Sequence, residues 1–312
     1  MKDLLRTADL SRADIELLLN TAANFATNPL GSSTALANKS VAIYMTKPST
    51  RTRLASETAV AHLGGTPIFI RGDELQLGRG ETIADTARII SGYCDALIIR
   101  TFAQSDVDEL GANATVPVIN GLTDVDHPTQ LLADWVTIRE NFGSDIAGRK
   151  FVYLGDGNNM AHAWLTMGAI MGAHVVAATP TGAWAPDTEV VAQAKAIAAT
   201  TGAIIEVTSD PETAAKDASV LYTDVWMSMG DPEAERIEKT KALSPFKVSQ
   251  QLMDLTAKDS IFMHCLPAHR EEEVATSVID GPKSVIWRQA FHRRTTIQAL
   301  LYHLTRGELQ GR

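Results

Sequence analysis

Two cysteines in 312 residues, Cys94 and Cys265, are too few and too far apart for a disulfide framework. They point to a reducing compartment, and the cytoplasm is the expected location. No apolar run approaches the roughly 18 residues of a membrane span, so no membrane partner is expected. The opening stretch MKDLLRTADLSRADIELLL lacks the apolar centre of a secretory signal and carries acids early. It reads as an amphipathic helix with Ser11 as cap and Asp14 in the first turn. Basic charge is in deficit: 28 Lys and Arg against 37 Asp and Glu give a formal net charge of −9. Nucleic-acid binding wants a broad basic face, so that partner is not expected, although a local basic pocket remains compatible. Cofactor signatures are missing too. The chain has no G-x-G-x-x-G, no G-x-x-x-x-G-K-[ST], no H-E-x-x-H and no paired C-x-x-C. A nucleotide cofactor, a kinase-type phosphate loop and a metal are therefore not expected. Sequence repeats and low-complexity tracts are also lacking.

What is present is ordinary globular material, 45 % hydrophobic and 21 % charged, enough for two cores. At about 150 residues per domain the length suggests two domains. Short β-branched runs alternate with helical patterns. SVAIYM (40–45), TPIFI (66–70), ALIIRT (96–101) and VPVIN (116–120) read as buried strands, with helices near 52–63, 81–93 and 105–111 and a longer one after His127. GSDIAG (143–148) marks a boundary. The alternation then restarts with strands in 151–156, 174–180, 203–210, 219–225 and 260–267, and helices near 160–172, 187–201 and 211–217. A last strand-like piece, SVIW (284–287), leads into a terminal helix over 293–308. The pattern predicts an α/β chain of two doubly wound parallel-sheet domains, 1–145 and 146–290, with the C-terminal helix returning to the first. In such sheets ligands bind outside the carboxyl ends of the strands.

The strand ends carry the unusual residues. In MTKPSTRTR (45–53), Pro48 imposes an extended approach, and Ser49 or Thr50 can cap the next helix and leave its N–H groups pointing outward. With Arg51 and the hydroxyls of Ser49, Thr50 and Thr52 this makes a phosphate site; the alternative is a capped helix with solvated arginines. Arg100 closes an apolar strand, as a rim residue or a second anion ligand. His127 opens a helix in HPTQ, where a cation is disfavoured and a neutral hydrogen-bonding ring fits better. In the second half, DGNN (156–159) follows a strand, and its amides can meet a carboxylate. Asp224 ends another strand and can hold an ammonium group. Cys265 reads first as a core residue. His264 is not expected to pair with it, because adjacent strand residues point to opposite faces.

Together STRTR, HPTQ, DGNN, DVWMSMG and HCLPAHR resemble the aspartate/ornithine transcarbamoylase family, in the family's order, over nearly the whole chain. DVWMSMG with HCLP marks the ornithine-using branch. The resemblance implies transfer of the carbamoyl group of carbamoyl phosphate to the δ-amine of L-ornithine, giving L-citrulline and phosphate in arginine metabolism, with no cofactor. It implies a phosphate site at Ser49, Thr50, Arg51 and Thr52, and a carbamoyl site at Arg100, His127 and Gln130. Cys265, Leu266 and Arg293 complete the carbamoyl-phosphate set, and Arg100, His127, Cys265 and Arg293 carry the catalysis. Gln76, in DELQLGRGET, matches a residue that reaches a neighbouring site, which implies a homotrimer. Asn159, Asp224, Ser228 and Met229 match the ornithine contacts. One departure stands out: the family usually has Glu-Asn before the last arginine, and this chain has Phe291-His292. That change puts the placement of Arg293 in question and leaves open a different amine acceptor, or a ligand-binding homologue of weak activity.

Overall fold

The computed structural model of the chain describes residues 1–75, 80–228 and 231–312. The chain divides into two compact units, one of Met1–Val136 with Phe291–Arg312 and one of Thr137–Ala290.

In the first unit four strands, β1 (Ser40–Met45), β2 (Thr66–Arg71), β3 (Ala96–Arg100) and β4 (Val118–Leu122), form a parallel sheet in the order β2-β1-β3-β4. Its helices are α1 (Arg12–Thr27), α2 (Thr50–His62), α3 (Ile83–Tyr93) and α4 (Gln104–Asn113). The first part of α5 (Pro128–Phe142) and most of α12 (Ile286–Leu304) also belong to it. β1 and β3 are buried along almost their whole length, as strands covered on both faces must be. Ala42, Tyr44, Leu97, Ile99, Val107, Leu110 and Val118 pack into one core cluster. Ser11 caps α1 as its residue type predicts: its Oγ accepts from the Asp14 N–H at 3.1 Å, and the Asp14 carboxylate accepts from the Ser11 N–H at 3.1 Å.

The second unit repeats the plan. β5 (Lys150–Leu154), β6 (His174–Ala178), β7 (Ile204–Thr208), β8 (Val220–Thr223) and β9 (Ile261–His264) form a parallel sheet in the order β7-β6-β5-β8-β9. The helices are α6 (Asn159–Met171), α7 (Thr188–Thr201), α8 (Pro211–Ala215), α9 (Arg236–Leu243), α10 (Gln250–Asp254) and α11 (Thr276–Ile279). Val152, Leu154, Val176, Leu221, Phe246 and Phe262 lie at the centre of its core.

Two readings of the sequence need correction. TPIFI is not a buried strand: β2 lies at a sheet edge and alternates between exposed and half-buried positions, and such an edge tolerates Pro67. β7 is an edge strand of the same kind. SVIW is not a strand. Ser284 makes only an isolated bridge to Phe262, and the helix begins at Ile286. Ile286, Gln289, Arg293 and Ile297 are buried at helical spacing, and four apolar-rich residues are too few to separate the two periods by eye. α9, α10 and α11 escaped the reading because they are short and weakly patterned.

The end of β5 is where backbones crowd. Gly155 takes φ +134°, and a Cβ on Gly157 would lie 2.2 Å from the Pro186 nitrogen and from the Ala185 carbonyl carbon. Both neighbours are main chain and cannot step aside. Gly157→Ala is expected to cost about 1–3 kcal/mol, read as a lower urea midpoint at unchanged slope; an unchanged midpoint would contradict this close approach.

Candidate active site

In a parallel sheet the chain order reverses where one crossover runs left and the next runs right, and the loops there splay apart. In the first unit this point lies between β1 and β3, whose ends Met45 and Arg100 are paired in register. The residues after β1 and the last residue of β3 are therefore neighbours. Ser49 caps α2, and Thr50 is its first helical residue. The Ser49 Oγ accepts from the Thr52 N–H at 3.2 Å and donates to the Thr52 Oγ1 at 3.2 Å. Arg51 follows on the first turn.

Arg293 reaches this helix end from α12. It is 2 % exposed, and its guanidinium donates to the Gln130 Oε1 at 2.6 Å and to the Thr52 Oγ1 at 3.2 Å. The Gln130 amide in turn donates to the Asp134 Oδ1 at 2.8 Å. Three stretches distant in sequence, STRTR, HPTQ and the terminal helix, thus meet at one buried polar cluster. Arg294 turns elsewhere, to the Gln298 Oε1, His62 and the Phe25 carbonyl. The Phe291-His292 departure leaves the neighbouring arginine in this cluster: His292 is buried and its Nδ1 lies 3.1 Å from the Thr295 Oγ1 on the same helix.

His127 reports the electrostatics of the site. It is buried at the start of α5, and its pKa lies well below the ordinary histidine value. Burial is the largest cause, followed by the positive charges of Arg293, Arg100, Arg51 and Lys47. Four cations thus bear on one neutral imidazole. Asp126, just before it, accepts from the Thr7 N–H at 2.6 Å, the Thr7 hydroxyl at 2.8 Å and the His127 N–H at 2.7 Å. Burial pushes its carboxyl up to about 6 against those hydrogen bonds.

Lys47 and Asp126 were missed by the sequence reading. Lys47 is 4 % exposed, pairs with Asp124 and lies over the Phe102 ring at 4.4 Å from the centroid. Its place within MTKPSTRTR was the only signal available. The second arginine of STRTR does not join the cluster: Arg53 bonds Glu57 at 3.2 Å and stacks on Phe69 at 3.8 Å from the ring centroid. Gln76 lies outside the described residues.

In the second unit the order reverses between β5 and β8, so DGNN and the segment after Asp224 face each other there. Asn158, not Asn159, caps α6, and its Oδ1 accepts from Met160 N–H at 2.9 Å and Tyr153 OH at 3.1 Å. Its amide donates to the Asp224 Oδ2 at 3.3 Å. Asn159 is the first residue of the helix and half-buried. The Cys265 thiol donates to the Asp224 Oδ1 at 2.8 Å.

The expectation that His264 and Cys265 point apart fails. β9 ends at His264 and Leu266 takes φ 59°, so the chain turns, and ligand atoms of Asp224, His264 and Cys265 lie within 4.8 Å of one another. His264 is nevertheless no base for the thiol. Its Nδ1 accepts from the Leu266 N–H at 2.8 Å, which places the ring proton on Nε2, 3.1 Å from the buried Glu273 carboxylate. Leu266 itself is half-buried. Ser228 is half-buried, and Met229 lies outside the described residues.

The depressed pKa of His127 makes a stability prediction. The folded ring resists the proton that the unfolded chain takes up near 6.5. The His127 contribution to stability must therefore fall as pH drops through that value, while Asp126, pushed up to about 6, works in the opposite sense. Between about pH 7.5 and 5.5 this group is expected to remove about 1 kcal/mol. In His127→Gln the decline in unfolding free energy over that window is expected to be smaller by that amount, and equal declines would contradict the assignment.

Two family descriptions match the chain: "Aspartate/ornithine carbamoyltransferase, carbamoyl-P binding domain" over residues 2–140 and "Aspartate/ornithine carbamoyltransferase, Asp/Orn binding domain" over 147–304. The chain is 48 % identical to the anabolic ornithine carbamoyltransferase of Pyrococcus furiosus, over 96 % of this chain and 95 % of that protein. It is 48 % identical to the ornithine carbamoyltransferase of Anoxybacillus flavithermus, over 97 % and 96 %. Among solved structures, the Pyrococcus furiosus ornithine carbamoyltransferase superposes with a TM-score of 0.93, covering 99 % of this chain and 98 % of that one. The anabolic ornithine carbamoyltransferase of Campylobacter jejuni, 35 % identical, gives 0.91 over 98 % and 100 %. The chain belongs to the aspartate/ornithine carbamoyltransferase family.

Proposed function

We propose that the chain transfers the carbamoyl group of carbamoyl phosphate to the δ-amine of L-ornithine, giving L-citrulline and phosphate. The observation that carries this reading is the buried neutral His127 under the charges of Arg293, Arg100, Arg51 and Lys47. In a chain of net charge −9, so local a concentration of cations suits a small, densely charged anion. The likeness to several ornithine carbamoyltransferases supports the acceptor.

The first unit, Met1–Val136 with Phe291–Arg312, holds carbamoyl phosphate in this reading. Ser49, Thr50, Arg51 and Thr52 take the phosphate, through hydroxyls, a guanidinium and the N–H groups at the start of α2. Arg100, His127 and Gln130 take the carbamoyl end, and Arg293 balances charge between the two. The second unit, Thr137–Ala290, holds ornithine in this reading: Asp224 takes the α-ammonium, Asn159 the α-carboxylate, and Ser228 and Met229 complete the ornithine contacts. The δ-amine, neutral when it reacts, attacks the carbonyl carbon and a C–N bond forms. Arg100 and His127 donate to the developing oxyanion. The C–O bond to phosphate then breaks, phosphate keeps the electron pair, and the amine proton leaves to phosphate or solvent.

Cys265 and Leu266 orient the reacting groups. A thiol that donates to the Asp224 carboxylate is protonated, which favours orientation and electrostatics over covalent catalysis. We further propose a homotrimer in which Gln76 completes a neighbouring site. The cysteines, both free and buried, fit a reducing cytoplasm; among the described residues no helix is long and apolar enough to cross a membrane.

Carbamoyl phosphate offered with ornithine, N-acetylornithine, putrescine, lysine or aspartate tests the acceptor. Product is expected from ornithine alone; turnover with another amine and none with ornithine would move the assignment. Arg293→Ala is expected to lower kcat/KM for carbamoyl phosphate by about 10²–10³. Cys265→Ser should slow turnover, and intact-mass spectra of the wild-type enzyme under turnover should show no carbamoylated protein; such an adduct would overturn the orienting role.

A further inference from the structure

α9 inverts the usual pattern of a surface helix. It exposes Ile237 at 84 % and buries Lys239 at 5 %. Lysine is almost never fully buried unless it is paired, because its ammonium must be taken out of water. Two carboxylates offset that cost here. The Lys239 Nζ lies 2.7 Å from the Asp156 Oδ2 and 2.7 Å from the Asp231 Oδ2. Burial pulls its pKa down, but Asp156 and Asp231 outweigh the pull and the net shift is upward, so the ammonium stays charged.

The two carboxylates sit at opposite ends of a structural problem. Asp156 follows β5, two residues before Asn158. Asp231 is bonded twice to Ser228: its Oδ2 accepts from the Ser228 N–H at 2.9 Å, and its own N–H donates to the Ser228 carbonyl at 3.1 Å. Asp224 and Asp231 are thus each tied to the end of β5. Asp224 is tied through the Asn158 amide, and Asp231 through Lys239 and Asp156. Asp156, Asn158, Asp231 and Lys239 line one cavity of about 480 Å³.

We infer that Lys239 is a positioning residue for the amino-acid acceptor: without touching it, its ammonium clamps Asp231 to the end of β5, holds the Ser228 backbone through Asp231, and so sets where Ser228 meets the substrate. This rests on the reading of Asp224 and Ser228 as ornithine contacts. A purely structural role is a weaker account of the residue. Replacing a buried ion pair by packed apolar side chains is often neutral or stabilising, so stability alone does not ask for three charged groups here. What an ammonium with two acceptors supplies is a fixed direction for each carboxylate.

The test measures KM for each substrate, kcat and thermal unfolding for the wild type, Lys239→Met and Asp231→Asn. Lys239→Met is expected to raise KM for ornithine by about 10- to 100-fold, as a misplaced binding group does, with KM for carbamoyl phosphate unchanged. Asp231→Asn keeps the Lys239–Asp156 pair and weakens the hold on residue 231, so it should raise KM for ornithine selectively and by less. An unchanged ornithine KM in folded Lys239→Met, or an equal rise for both substrates, would overturn the inference. If Lys239→Met fails to fold, Asp231→Asn decides in the same way. A wild-type enzyme with no ornithine turnover would sink the acceptor reading itself, and is recognised before any variant is made.

Discussion

The constraint on which the rest depends is the parallel sheet covered on both faces. Strands such as β1, β3, β5 and β8 are buried along nearly their whole length, so their side chains can carry almost no chemistry. Polar function is pushed to the carboxyl ends, and among those ends to the place where strand order reverses. In the first unit that place brings together Ser49, Thr52 and Arg100; in the second it brings together Asn158 and Asp224. Shared topology explains why each half of the chain carries its motifs just after a strand.

Burial then sets the chemical character of each place. In the first unit Arg293 and Lys47 are almost fully enclosed; burial first, and then their charges with those of Arg100 and Arg51, hold His127 neutral. A neutral ring among cations can donate a hydrogen bond to a carbonyl oxygen without adding one more charge to desolvate. The second unit has the opposite sign. Asp156, Asp224 and Asp231 gather around the β5–β8 reversal, with Lys239 against two of them and the Cys265 thiol against the third. An anion-receptive place and a cation-receptive place on separate units suit two substrates of opposite local charge.

Much of this was legible in the residues. The alternation of β-branched runs and helical patterns predicted both sheets, and Ser11 and Ser49 were readable as caps because a hydroxyl before a helix has a local partner three residues on. The misreadings share one cause. SVIW, TPIFI and the His264–Cys265 pair were judged from local period alone. Sheet edges, a helix start and a turn through positive φ at Leu266 are decided by what packs alongside. Lys47, Asp126 and Lys239 were missed because each acts through a partner far away in the chain and leaves no periodic trace.

By itself the sequence determined the alternating α/β plan, the motifs at the strand ends and the family to which they point, because period, capping and turn chemistry act over a few residues. Only the tertiary structure decided which polar groups meet. It brought Arg293 rather than Arg294 to Gln130 and Thr52, joined Cys265 to Asp224, and buried Lys239 while exposing Ile237. The physical reason is that the energy of a charge depends on its solvation and on its partners, and both are properties of the folded chain.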